Sequence, residues 1–209
     1  MLWTRGLQGL WRLENSAVDS SGNGRTATLV GSPSYVAGRF GRGLSLNGTT
    51  NYVTLPASST LIPTPGAVTI TVHFKTTDAA NDLYIVSTRR AVAGSFLSFS
   101  LLSTGKVRWV YPSIGTVGVM NGAATVNDGN WHFASFVKDG NVNTGYIDEV
   151  QDATVTQTYD ITPSADVAQI CHLGAWAGIN GSGDEVAFWS RALGASDRKR
   201  VMMGMGPVG

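Results

Sequence analysis

The chain has 209 residues, of which 14% are charged, and its formal net charge is +1 at pH 7. This length is sufficient for one substantial hydrophobic core, and all-β sandwiches of similar length are commonly single domains. The low charge excludes the basic patch that would attract nucleic acid or an anionic membrane. We therefore expect a single domain over 1–209, with short terminal arms at about 1–9 and 203–209, and no nucleic acid or membrane partner.

The first twelve residues lack the continuous apolar segment of a secretory signal, because Arg5, Gln8 and Arg12 interrupt it. No apolar run approaches the roughly 20 residues that a membrane span needs. The one cysteine, Cys171, excludes an intrachain disulfide and is expected to be a buried apolar thiol. These features suit a protein that stays in its cell, an excised domain, or a subunit that leaves during assembly of virus particles.

Short runs of alternating apolar and polar residues, bounded by Gly, Asn and Asp, recur along the chain. This pattern is typical of half-buried β-strands. The predicted strands are Gly43–Leu46, Tyr52–Leu55, Val68–Lys75, Leu83–Ser87, Phe96–Leu102, Lys106–Tyr111, Trp131–Lys138, Thr144–Ile147, Gln169–Leu173 and Asp184–Trp189.

Turn residues separate these runs, and no long helix or repeat period interrupts them. The dipeptides Asn47-Gly48, Asp128-Gly129 and Asp139-Gly140 predict tight hairpins. Near the end of the chain, Ser196 is predicted to cap a short helix over 197–202. Many short antiparallel strands without a repeat favour an all-β, two-sheet jelly-roll sandwich with a short C-terminal helix.

The last predicted strand carries the clearest alternation. Val186 and Phe188 should share one face of this strand, and Ala187 and Trp189 the other. The two acids that open the strand could hold a cation.

Three sequence blocks resemble the signature of laminin-G-like, concanavalin A-like jelly-roll domains: Asp19–Gly24, Gly38–Gly48 and Asp128–His132. The acidic closing strand resembles theirs as well, so the resemblance spans roughly residues 10–202. It implies the sandwich fold. It specifies function far less, because the family includes carbohydrate-binding modules, adhesion domains, and phage and bacterial surface proteins.

One turn departs from the family pattern. Glu149 occupies a hairpin position, after Asp148, where the family usually has glycine. A residue other than glycine is disfavoured at positive φ. We therefore expect an altered turn here.

The resemblance also implies a metal site, since in this fold class a calcium ion often joins the first loop to the last strand. Calcium takes oxygen ligands from carboxylates, carbonyls and asparagine. Asp19, Asn23 and Asp184 are the candidate ligands for one structural calcium ion. The alternative is that Asp19 forms an Asx-turn in its loop and Asp184 caps a strand end through local hydrogen bonds.

Three aromatic residues are candidates for stacking against a sugar ring: Trp109, Tyr111 and Trp176. Large aromatic side chains also supply much of a hydrophobic core. The sequence leaves both roles open for each of them.

The count of acids argues against catalysis. The chain has only three glutamates, Glu14, Glu149 and Glu185. A retaining glycosidase needs two carboxylates about 5 Å apart, at i and i+2 or i+4 of one strand face. The aspartates directly before Glu149 and Glu185 point to the opposite face. We expect no catalytic residues and no enzyme activity. The three histidines also lack the spacing of a zinc site.

Two functions fit these observations. The first is a non-catalytic structural or adhesion protein on the surface of a virus particle, such as a phage head decoration or tail-associated subunit. Its partners would be other virion subunits or further copies of this chain. The alternative is an extracellular carbohydrate-binding lectin module of a secreted enzyme or adhesin, with cell-surface glycans as partners.

Overall fold

A computed structural model describes residues 4–62, 67–80, 82–88, 97–113, 116–158, 165–173 and 176–204. In chain order, its strands are β1 (Leu7–Trp11), β2 (Thr28–Val30), β3 (Ser34–Ala37), β4 (Arg42–Asn47), β5 (Tyr52–Ala57), β6 (Ala67–Thr76), β7 (Leu83–Thr88), β8 (Leu97–Leu101), β9 (Lys106–Ser113), β10 (Thr116–Thr125), β11 (His132–Asp139), β12 (Val142–Ile147), β13 (Val150–Thr156), β14 (Val167–Ile170), β15 (His172–Leu173), β16 (Trp176–Ala177) and β17 (Asn180–Trp189). The helices are α1 (Ser58–Leu61) and α2 (Ala195–Met202).

Two antiparallel sheets form the predicted jelly-roll sandwich. One sheet has eight strands in the order β13-β12-β11-β6-β17-β4-β3, with β1 also paired to β17. The other has seven strands in the order β10-β9-β8-β7-β14-β5-β2. Strands β15 and β16 form a separate small hairpin. Non-consecutive neighbours in both sheets show that the chain crosses repeatedly from one sheet to the other.

The main core fills the space between the sheets, and a second apolar cluster lies on the outward face of the eight-stranded sheet. Val186 and Phe188 belong to the main core. Ala187 and Trp189 belong to the second cluster, which also contains Val201 of α2. The alternation predicted for the last strand is therefore confirmed, and α2 covers the face that would otherwise expose Trp189.

The structure corrects two terminal predictions. Residues 7–9 are not an arm, since β1 pairs with β17 from Leu7↔Trp189 onward. Helix α2 begins at Ala195 with Gly194 as its N-cap residue and no side-chain capping bond, so Ser196 lies inside the first turn and does not cap it. The pairing of β1 and the first residue of α2 both depend on contacts with parts of the chain that are distant in sequence. No helix among the described residues is long and apolar enough to cross a membrane.

One of the three predicted hairpins is confirmed. Asp139-Gly140 begins the turn between β11 and β12, which are directly paired through Asp139↔Val142. Asn47-Gly48 and Asp128-Gly129 instead precede crossings between the two sheets, because β4 and β5 lie in different sheets, as do β10 and β11. A turn dipeptide reverses the chain, but the tertiary packing decides which sheet receives the next strand.

The prediction of an altered turn at Glu149 is wrong. The turn between β12 and β13 has two central residues, and both have positive φ: 50° at Asp148 and 66° at Glu149. This is the backbone geometry of a two-residue hairpin that normally contains glycine. Glu149 thus adopts a strained conformation for a glutamate, and its side chain is held by an ion pair with Arg198.

Candidate functional site

The Asp19 loop is closed by its own hydrogen bonds. The Asp19 Oδ1 atom accepts from the backbone N–H groups of Leu10 at 3.0 Å and Ser21 at 2.8 Å. Its Oδ2 atom accepts from the Ser21 hydroxyl at 2.8 Å and the Arg25 N–H at 2.9 Å. Burial raises the pKa of Asp19, but these bonds outweigh it and the pKa lies below its ordinary value. The loop therefore stabilises an ionised carboxylate by its own hydrogen bonds, as the Asx-turn alternative predicts.

Asn23 and Asp184 bind different segments of the chain. The Asn23 amide nitrogen donates to the Leu7 carbonyl at 3.0 Å. The fully buried Asp184 accepts from the N–H groups of Phe40 at 3.0 Å and Glu185 at 2.8 Å. Burial raises the pKa of Asp184 to about 7. Burial therefore favours the protonated form of this carboxyl group, whereas hydrogen bonds favour the ionised form of Asp19.

Local bonding thus accounts for both acids without a metal. Among the described residues, no group of three or more histidine, cysteine, aspartate or glutamate side chains is placed to hold an ion. Calcium at Asp19, Asn23 and Asp184 remains a prediction with a direct test.

Calcium that binds only the native chain should stabilise it by mass action and so raise the melting temperature. At a calcium concentration one hundred times the Kd, the free energy of unfolding should rise by about 2.7 kcal/mol. Asp184→Ala should abolish this shift. Thermal melts with calcium and with a chelator, for both proteins, make the comparison. Identical curves for the unaltered chain under the two conditions would rule out a stabilising calcium ion.

Two of the three candidate stacking residues lie in the core, and the prediction is corrected for them. Trp109 has no exposed surface and its indole N–H donates to Asp152 at 3.1 Å. Tyr111 is 8% exposed and packs over Gly118, where a Cβ atom would lie 2.2 Å from the Tyr111 ring. Both side chains point between the sheets, so neither ring can stack on a sugar that arrives from solvent.

Trp176 is the candidate that remains, because it is 63% exposed. It lies in β16 and pairs with Leu173 of β15. The hairpin is fixed to β7 on both sides: Cys171 donates to the Ile85 carbonyl at 2.9 Å, and Ile179 donates to the Tyr84 carbonyl at 3.1 Å. An exposed indole thus stands on an anchored hairpin.

A second ring pair supports this hairpin. The His172 imidazole stacks on Tyr52 with ring centroids 4.0 Å apart and planes 11° apart. The His172 carbonyl accepts a 2.7 Å bond from the hydroxyl of the buried Ser87 in β7. We use the term aromatic patch for Trp176 of the hairpin together with the Tyr52–His172 ring pair that supports it. His172 pairs with Ala177 and Trp176 pairs with Leu173, so the side chains of His172 and Trp176 leave opposite faces of the hairpin. Tyr52 lies in β5 and His172 lies in the hairpin, so their contact is tertiary. The sequence offered only a weak signal for it, namely the position of Tyr52 in the alternating pattern of β5.

Polar side chains continue outward from the aromatic patch across the seven-stranded sheet. One row crosses neighbouring strands through the register pairs Tyr84↔Ser100 and Ser100↔Arg108. Arg108 also pairs with Asp82. Tyr84 is half-buried, and desolvation raises the pKa of its hydroxyl, which keeps that group neutral. Ser100 is 1% exposed, so Tyr84 and Arg108 are the groups of this row that a ligand from solvent can reach. One neutral and one charged hydrogen-bonding group near an exposed indole suit hydroxyl-rich ligands.

The glutamates occupy structural positions. Glu14 accepts a 2.9 Å bond from the Arg42 N–H. Glu149 pairs with Arg198, and the buried Glu185 lies 3.6 Å from Arg12. Burial raises the pKa of Glu185, an effect that Arg12 opposes. None of these glutamates lies in the aromatic patch.

A two-sheet jelly roll with an exposed aromatic and polar face defines a lectin-like sandwich domain. The matching family model is described as the concanavalin A-like lectin/glucanases superfamily, and it covers residues 47–197. The chain belongs to this family of laminin-G-like domains. A search of curated protein sequences gives no match.

Solved structures agree on the fold. Domain 4 of AbnA, an extracellular arabinanase from Geobacillus stearothermophilus in complex with arabinotriose, is 19% identical with a TM-score of 0.75, and the match covers 93% of this chain and 97% of that one. The botulinum neurotoxin serotype D/C VPI 5993 binding domain is 12% identical with a TM-score of 0.78, over 97% of this chain and 53% of that one. The botulinum neurotoxin DC binding domain in complex with SialylT is 12% identical with a TM-score of 0.75, over 96% and 51% respectively.

These similarities establish the architecture. The chain spans about half the length of the two toxin binding domains and nearly all of the arabinanase domain.

Proposed function

We propose that this chain is a non-catalytic carbohydrate-binding domain that works outside the cell and recognises glycans through its seven-stranded sheet. The observation that carries the proposal is the exposure of Trp176 on an anchored hairpin beside a polar face. An indole ring can cover the apolar C–H face of a sugar, while neighbouring polar groups bind its hydroxyls. In this site Trp176 stacks, and Tyr84 and Arg108 orient the ligand.

Two further features support this proposal. The similar arabinanase domain was solved with arabinotriose and one of the toxin domains with SialylT, so this architecture accepts glycans in other proteins. The three glutamates are engaged with arginine side chains or a backbone N–H outside the aromatic patch, so none of them is placed there as an acid or a nucleophile. The virion hypothesis rests on the sequence alone.

The proposal predicts a large loss of affinity for Trp176→Ala. We expect the Kd for a glycan identified on an array that includes arabinotriose and sialylated oligosaccharides to rise at least about tenfold, because a central aromatic ring commonly contributes over 1.4 kcal/mol. Trp176→Phe should retain most binding. Isothermal titration calorimetry measures both.

Val150→Ala is the matched control. Val150 is also a highly exposed apolar residue, but it lies on the edge strand of the other sheet. This variant should bind like the unaltered chain, and both exposed substitutions should leave the free energy of unfolding within about 0.5 kcal/mol. Equal affinity of Trp176→Ala and the unaltered chain for every glycan bound would contradict the proposed site.

A further inference from the structure

A cavity lies on the eight-stranded sheet, away from the aromatic patch. It has a volume of about 410 Å³ and is formed by β11, β12 and the segment that leads into α2. Val137 and Leu193 form an apolar part of the cavity wall, and Thr144 and Tyr146 also line the cavity. Ligand cavities in proteins commonly measure about 300–1,000 Å³, so this one can hold a small molecule.

The base of this cavity contains a buried cation. Arg198 lines the cavity but is only 5% exposed. Its orientation is fixed by three contacts: Nε with the Glu149 carboxylate at 3.2 Å, Nη1 with the Leu193 carbonyl at 2.9 Å, and the guanidinium carbon 3.7 Å from the centre of the Tyr146 ring. Among the described residues, the remaining nitrogen, Nη2, has no hydrogen-bond partner. A rigid donor with unused capacity is therefore available for a ligand.

An acceptor stands in the same cavity. The exposed carboxylate of Asp139 lines it and has no partner among the described residues. Glu149 already neutralises the charge of Arg198, and Asp139 adds a negative charge, so an anionic ligand would be repelled. A ligand that satisfies both groups must present donors and acceptors together and must also have an apolar face for Val137 and Leu193. Vicinal hydroxyls on a sugar ring meet these requirements.

We propose that this cavity is a second carbohydrate site, which holds one neutral sugar residue between Arg198 and Asp139. The site is independent of the aromatic patch and lies on the other sheet. With both sites the domain binds two glycan segments at once, and two linked binding events raise the overall avidity without any new contact.

Gly194 offers a way to block the cavity without disturbing Arg198. A Cβ atom on Gly194 would meet nothing within 4 Å, and its φ of −68° suits any residue. Gly194→Trp should therefore fill the space that the sugar would occupy. Gly194→Ala is the matched control, since it makes the same change at the N-cap of α2 but leaves the cavity open.

The test titrates the isotope-labelled chain with L-arabinose, D-galactose, D-glucose and N-acetyl-D-glucosamine and follows amide signals by NMR. At least one sugar should shift the Thr144 and Gly194 amides and the Arg198 Nε–H group in the unaltered chain, in Gly194→Ala and in Trp176→Ala. Gly194→Trp should weaken this binding at least about tenfold.

The result in Trp176→Ala separates the two sites. Shifts that persist in this variant belong to the cavity, whatever happens to glycan binding at the aromatic patch. The second site is overturned if none of the four sugars shifts these signals in the unaltered chain. It is also overturned if Gly194→Trp binds as tightly as Gly194→Ala.

Discussion

Replacing Glu149 with alanine should lower the free energy of unfolding by about 3–5 kcal/mol, because it leaves the Arg198 charge buried without its partner. The side chains of Arg198 and Glu149 are only 7% and 5% exposed. Burial raises the pKa of Glu149, and Arg198 opposes this rise by favouring the ionised form. Truncation removes that compensating charge while Arg198 remains held by the Leu193 carbonyl and the Tyr146 ring. Urea unfolding measures the loss.

A less buried ion pair provides the control. Arg191 and Asp197 form a 2.8 Å pair whose side chains are considerably more exposed than those of Arg198 and Glu149. Asp197→Ala should therefore cost no more than about 1 kcal/mol. Glu149→Gln should fall between the two, since an amide oxygen can still accept from Arg198. A loss below about 1 kcal/mol for Glu149→Ala would show that water in the neighbouring cavity already solvates Arg198.

The second large effect concerns two buried groups with opposite pKa shifts. His73 of β6 and Asp184 of β17 are register partners on neighbouring strands. Burial lowers the pKa of His73 from 6.5 to about 4, and the charge of Arg39 contributes to this decrease. The 3.0 Å contact with the Met202 carbonyl and the charge of Asp148 oppose this change. Burial raises the pKa of Asp184 from 3.8 to about 7, and Glu185 adds to this rise.

The two groups act on stability in opposite directions. The contribution of His73 is present above about pH 6.5 and is lost as the pH falls toward 4. The contribution of Asp184 is present below about pH 3.8 and is lost as the pH rises through about 7. Between about pH 4 and 6.5, the folded chain holds a proton on Asp184 and the unfolded chain holds it on His73. Their combined contribution should therefore change little with pH in this window.

Conservative variants should separate the two slopes. Asp184→Asn leaves His73 alone, so its stability relative to the unaltered chain should fall by about 1.4 kcal/mol for each pH unit of acidification within that window. His73→Gln leaves Asp184 alone, so its relative stability should fall by a similar amount for each unit of rise. Urea unfolding at about pH 4.5, 5.5 and 6.5 tests this. Parallel pH profiles for all three proteins would contradict it.

The fold could be predicted from sequence because its signals are local or nearly so. Alternation in the last strand placed Val186 and Phe188 on one face and Trp189 on the other, and the structure confirms this division between two apolar clusters. Strand β10 was missed because Gly118 and Gly122 weaken its alternation, although they make room for Tyr111 and Asp152. In β10, therefore, the packing requires the same glycines that obscure the alternation in the sequence.

The candidate sites could be predicted only in part. Trp109 and Trp176 are the same residue type and both lie in strands of the same half of the chain, yet one is in the core and the other is exposed to solvent. Exposure depends on which strand face meets the opposite sheet, and no local pattern contains that information. The hydrogen bond from the Ser21 N–H to Asp19, by contrast, could be predicted as part of an Asx-turn because Ser21 is two residues away.

The sequence by itself determined that this chain forms a jelly-roll sandwich of the laminin-G-like kind, since strand alternation, turn residues and the glycine blocks act within short segments. Only the tertiary structure decided that Glu149 keeps a glycine-like turn, because Arg198 lies 49 residues away in sequence. It also decided that His172 meets Tyr52 and that Arg198 opens into a cavity with Asp139. Such groups are brought together by sheet crossings and helix docking, whose free energy comes from burial of the whole core.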